Sequence, residues 1–129
     1  MRCGDTVLIP APGAGITPHL WIVVTEPTND THVCVIVNLT TLRNSQDQTV
    51  ALNRGDHPFI NHPSSVRYSD AQFADLQRLR ADIAAGTAVR CQSCSPELLK
   101  LVQDGISASP YTPKKIARFC REYWSEHGR

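Results

Sequence analysis

No apolar run in this 129-residue chain approaches the length of a bilayer span. The opening Met1-Arg2-Cys3-Gly4-Asp5 carries no apolar signal segment. These absences argue against a membrane-spanning helix and predict a soluble, cytoplasmic protein. An excess of one charge is missing too. The 13 Lys and Arg stand against 12 Asp and Glu, a net charge of +1. Bulk attraction to nucleic acid is therefore weak, and any such contact must come from a local patch. Internal repeats and low-complexity segments are lacking, so neither a solenoid nor a disordered linker is expected. The 5 cysteines are odd in number, which suits a reducing compartment better than a disulfide framework. What remains is ordinary globular material, 41% hydrophobic and 19% charged. One domain over 1–129 can bury a core from it without disulfides, metal or cofactor.

The first half, residues 1–70, reads as strands. Thr6-Val7-Leu8-Ile9 is a short apolar run closed by Pro10, and the turn-rich segment 11–18 predicts a mobile loop. Leu20 to Thr25 is β-branched and aromatic, and Glu26 to Asp30 punctuates it. Val33 to Thr40 lacks polar alternation, which predicts a central strand covered on both faces. Thr49 to Leu52 and Ser65 to Tyr68 add two short strands.

The second half, residues 71–129, turns helical. Leu76, Leu79 and Ile83 recur at helical spacing before Gly86, a natural stop. Ala88-Val89-Arg90 suggests a small extra strand. Ser95-Pro96-Glu97 supplies a cap, a first-position proline and an acidic first turn for a helix ending near Gly105. A last helix starts near Pro113 and carries Ile116, Phe119, Cys120 and Tyr123. Strands followed by helices predict an α+β fold around a small curled sheet or barrel.

The stretch Gly55 to Ser65 holds the most pointed chemistry. His57 and His62 are each followed by proline, which drives the preceding residue into extended geometry. Both therefore belong to a punctuated loop, with Phe59 and Ile60 as its apolar foot. Imidazole titrates near neutral pH, so two of them on one constrained loop suggest an acid/base pair. Turn geometry brings them together, whereas a fully extended segment would hold them up to roughly 17 Å apart. The competing reading is that both cap turns and bind backbone.

The order of elements resembles the PemK/MazF family of bacterial toxins, over roughly residues 4 to 106. Gly4-Asp5-Thr6-Val7-Leu8-Ile9 resembles the family's opening, and His19 to Val24 its second strand. Val35 to Thr41 resembles its third strand, which ends in a Thr-Thr pair. Gly86-Thr87 and Ser95 to Leu99 resemble the late turn and final helix. The resemblance implies a small SH3-like β-barrel of five to six mainly antiparallel strands with C-terminal helices. It also implies a homodimer, an antitoxin partner and endoribonuclease activity. One departure matters: the catalytic arginine of the ribonuclease members aligns with Leu20, which can neither donate a proton nor stabilise a phosphorane. The tail after Ser107 also runs past a typical member.

Metal-independent RNA cleavage needs a base for the 2′-hydroxyl, an acid for the leaving 5′-oxygen and cationic or hydrogen-bonding groups around the phosphate. On this reading His19, Thr40, His57, His62 and Asp70 line the groove. One of His57 and His62 serves as base or acid, and Asp70 orients it. Arg67, Tyr68 and Thr41 contact RNA, with Arg67 holding a phosphate and Tyr68 stacking a base. A second hypothesis keeps the barrel but makes it a non-catalytic binder of nucleic acid or of a protein target such as DNA gyrase, which loss of the arginine fits.

Other features are read more plainly. Cys91 and Cys94 form a CxxC before a helix cap, where a helix N-terminus lowers a thiol pKa, but two ordinary cysteines is the preferred reading. A metal site from His57, His62 and Asp70 matches no standard spacing, and no metal is expected. Lys114, Lys115, Arg118 and Arg121 recur along the last helix as a solvated face. Trp21 and Trp124 belong to core or interface.

Overall fold

The computed structural model describes residues 1–10, 18–27, 31–44 and 46–129. Except for Pro18, the loop expected over 11–18 lies outside them, as does the end of the turn after Glu26. Among the described residues nine elements follow in order: β1 (Thr6–Pro10), β2 (Pro18–Val23), β3 (Val33–Thr41), β4 (Ala51–Leu52), β5 (Ser64–Asp75), α1 (Leu76–Ala85), β6 (Val89–Cys91), α2 (Pro96–Ala108) and α3 (Lys114–His127). The strands form one curled antiparallel sheet in the order β4-β5-β3-β2-β1-β6. The fold is thus α+β.

Side-chain alternation assigns the two faces of the sheet. Leu20 and Ile22 of β2, Val35, Val37 and Leu39 of β3, and Val66 and Tyr68 of β5 share one face. They join Leu98, Val102 and Ile106 of α2 and Ile116 and Cys120 of α3 in the main core. Val7 packs on the opposite face with Leu79 of α1 and Ala88. Val23, Cys34 and Ile36 make a third cluster, with Trp21 packed against it. β3 carries buried residues from Cys34 through Leu39, Asn38 among them, as its lack of polar alternation predicted.

β5 is far longer than the expected Ser65 to Tyr68. Its register against β3 shifts between Ile36↔Gln72 and Asn38↔Arg67, so residues 68–71 stand opposite Val37 alone. Such an insertion bends a strand and increases its twist. A period-2 pattern cannot continue through it, which is why the far half of β5 did not read as strand.

The helix signals fared well where they were local. Asp75 accepts from the Gln77 and Arg78 amides, and Gly86 closes α1 with φ 81°. Ser95 caps α2 with Pro96 in its first turn. Gly105, expected near the end of α2, instead lies inside the helix and is buried. A Cβ there would overlap the Tyr68 hydroxyl and ring and fall 2.8 Å from Val50 Cγ2. The glycine marks a close approach of helix to sheet, not a stop.

The N-terminus is tied to β6 and the segment after it. Asp5 accepts from the Arg2 amide (2.8 Å), Arg90 Nη2 (2.8 Å) and Ser93 Oγ (2.9 Å). Thr6 Oγ1 donates to the Gln92 carbonyl at 2.7 Å. Burial alone would raise the Asp5 carboxyl, but these donors and the Arg90 charge outweigh it and hold the group below its ordinary value.

Candidate functional site

β3 ends at Thr40 and Thr41, opposite Ser65 and Ser64, where β5 begins. The loop between β4 and β5 folds over this end. The result is a cleft of about 260 Å³ whose lining includes His19, Thr40, Thr41, Arg43, Phe59 and His62. His62 Nδ1 lies 2.6 Å from Asn61 Oδ1, and its Nε2 lies 3.1 Å from Thr41 Oγ1. An amide oxygen only accepts, so Nδ1 carries the proton in the neutral ring and Nε2 presents its lone pair to the Thr41 hydroxyl. Asn61, His62 and Thr41 thus form a chain of orienter, base and hydroxyl. All three are exposed.

His19 sits one residue before Leu20 on β2 and therefore on the opposite face. Leu20 is wholly buried in the core and lines neither this cleft nor the one described below. His19 Nδ1 lies 3.1 Å from the Leu39 carbonyl. It must donate there, which leaves Nε2 for chemistry. Arg43 is exposed and has no carboxylate partner among the described residues.

Four of the expected roles are corrected. His57 is 4% exposed; its Nε2 donates to the Gln92 carbonyl (2.6 Å) and its Nδ1 accepts from the Phe59 amide (3.0 Å). Both nitrogens serve backbone, so His57 pins the loop and is no acid/base partner of His62. Tyr68 is fully buried and donates to the Val102 carbonyl at 2.7 Å, so it offers no face to a base. Burial pushes its hydroxyl well above the usual phenol value. Asp70 touches neither histidine. Its Oδ2 accepts from Asn38 Nδ2 (3.2 Å) and lies 3.6 Å from Arg67 Nε, so Asn61 holds the orienting position instead. Arg67 lies away from the first cleft and borders another hollow with Asp47 and Tyr111.

Sequence reasoning missed Arg43 and Asn61 and misread Phe59. Asn61 directly precedes His62, and Arg43 follows the Thr-Thr pair by two residues; both signals were in view. The expected Phe59-Ile60 foot divides, with Ile60 buried in the core and Phe59 exposed at the cleft.

A second cleft of about 420 Å³ adjoins the first at His19 and is lined further by Ile9, Trp21, Ile36, Asn38, Asp70 and Gln72. The Asn38 side chain is nearly buried, and its Oδ1 has no donor among the described residues. Elsewhere, Cys91 and Cys94 are free thiols. Burial, and then the nearby Asp5 charge, push Cys94 up to about 11, the reverse of an activated thiol. Among the described residues no group of three His, Cys, Asp or Glu could hold a metal ion. Lys114, Lys115, Arg118 and Arg121 are exposed on α3 and line neither cleft. Among the described residues no helix is long and apolar enough to cross a membrane.

No protein-family model and no curated protein matches the chain.

Proposed function

We propose that this chain is a divergent PemK/MazF-like toxin on an SH3-like barrel, a metal-independent endoribonuclease whose active group is His62. The observation that supports this reading is the Asn61–His62–Thr41 chain in a cleft that also holds His19 and Arg43. His62 Nε2 takes the proton of a substrate 2′-hydroxyl that displaces the Thr41 hydroxyl from it. The 2′-oxygen bonds to phosphorus while the bond from phosphorus to the 5′-oxygen breaks, and protonated His19 gives its Nε2 proton to that leaving oxygen. The Arg43 guanidinium and the Thr40 and Thr41 hydroxyls face the non-bridging oxygens, where negative charge concentrates. The products are a 2′,3′-cyclic phosphate and a free 5′-hydroxyl. Phe59, 40% exposed at the cleft, offers a stacking face. A homodimer and an antitoxin that masks the cleft complete the reading by family resemblance.

The test is cleavage of RNA by purified protein in EDTA. His62→Ala should lower the rate by roughly 10²–10⁴-fold, the usual contribution of a positioned acid/base group. Asn61→Ala should fall in the same direction by less, since it frees the ring's tautomer and orientation. Full activity in His62→Ala overturns the assignment. A second reading, a non-catalytic toxin acting on a protein target, draws on the burial of Leu20 at the arginine position. Growth arrest with intact cellular RNA selects it.

A further inference from the structure

We propose that the second cleft is a base-recognition subsite that selects guanine next to the scissile phosphate; the inference rests on the ribonuclease reading above. The cleft has the composition of a ligand site, an apolar lining with a few convergent polar groups. Ile9, Ile36 and the Trp21 indole supply the apolar part, and Asn38, Asp70 and Gln72 the polar part. Trp21, Asn38 and Arg67 fall in one row across β2, β3 and β5, on the face opposite the main core. An aromatic ring beside amide and carboxylate groups is how single-stranded RNA bases are commonly held, by stacking and by their Watson–Crick edges.

The signs of the hydrogen-bonding groups choose the base. Asn38 Nδ2 is turned to Asp70 Oδ2, which fixes the amide orientation and leaves its Oδ1 as a buried acceptor without a donor. Asp70 Oδ1 likewise meets no donor among the described residues. Gln72 spends an Nε2 proton on the Asp70 carbonyl at 3.2 Å, which leaves its Oε1 as a third acceptor. Each amide keeps one further N–H, but the three acceptors outnumber these two donors and ask for a donor-rich partner. Arg67 beside Asp70 offsets the carboxylate charge and disfavours a cation. Of the RNA bases, guanine alone presents adjacent ring and exocyclic N–H donors on its Watson–Crick edge. Because His19 lines both clefts, a nucleotide with its phosphate in the first cleft can seat a neighbouring base in the second.

The test reads Trp21 fluorescence in a Trp124→Phe background, where Trp21 is the remaining indole. Short 2′-O-methyl oligonucleotides, which cannot be cut by 2′-hydroxyl attack, are titrated with guanine or each other base at one position. Guanine should quench Trp21 with a Kd roughly tenfold below the others, the scale of one good base-edge contact. Asp70→Asn should erase that preference. Equal affinity for all bases, or a guanine preference unchanged in Asp70→Asn, overturns the subsite. RNA cutting measured in parallel separates the two readings: cutting without guanine selectivity removes the subsite alone, and selective quenching without cutting removes the nuclease alone.

Discussion

Gly105→Ala pits two effects of opposite sign against each other. In an exposed helix the change is stabilising by about 1 kcal/mol, because alanine is the better helix former. At Gly105 the new methyl would occupy the position of the Tyr68 hydroxyl and crowd Val50 Cγ2. Tyr68 is 0% exposed and held by the sheet on one side and the core on the other, so its ring has no solvent to swing into. Overpacking of this kind costs about 1–3 kcal/mol. Driving the hydroxyl off the Val102 carbonyl strands a buried polar group, at a cost of about 1–3 kcal/mol more. Taking about 2 for each and subtracting about 1 for helix propensity leaves a net loss of about 3 kcal/mol. With a urea slope of about 2 kcal/mol/M, the unfolding midpoint should fall by about 1.5 M. Tyr68→Phe provides the internal control. Alone it should cost about 1 kcal/mol, and in its background the alanine penalty should shrink, since the oxygen in the way is gone. A neutral or stabilised Gly105→Ala variant would refute the packing argument outright.

Two further outcomes follow from contacts already described. His57→Gln should lower the unfolding midpoint, with a loss of about 1–3 kcal/mol for the buried groups left unpaired, while RNA cleavage by the folded fraction persists. Loss of cleavage with unchanged stability would restore His57 to the chemistry. Asp5, whose carboxyl is held below its ordinary value, contributes stability that is fully present above the unfolded-state value of about 4 and is lost as pH falls through the folded value. Asp5→Asn should therefore be destabilised at pH 7, with the gap to the parent closing below about pH 4 in a series of urea melts. Asp47, depressed by Ser109 and Thr49 against the opposing effect of burial, adds to the same acid limb. A gap constant from pH 7 to pH 3 would show that the Asp5 charge plays no part.

What could be read from the sequence was what short-range physics writes. The run in β3, the Ser95-Pro96 cap and the Gly86 stop each depend on a few adjacent residues, and each stands where expected. Roles that depend on distant partners were hidden. His57 and His62 share the same His-Pro context, yet one meets Gln92, 35 positions away, and the other meets Thr41. Nothing local separates them. Tyr68 looked like a surface aromatic beside Arg67 until the bend in β5 set its place against α2. Asp70 came from proximity in sequence, and the register of β5 gave it to Asn38 rather than to a histidine.

The clamp between the chain's beginning and its late strand also bears on how the molecule is made. Asp5 reaches Arg90 and Ser93 across 85 and 88 positions, and β1 finds β6 only after the intervening helix. On the ribosome β1 must wait, one edge unpaired, until Cys91, about seven-tenths of the way along the chain, has emerged. The residues of both clefts precede that point, since the last of them is Gln72. Completion of the fold should therefore be slow, as long-range pairings generally are, and the exposed β1 edge is where a nascent chain is open to a chaperone or to another copy of itself.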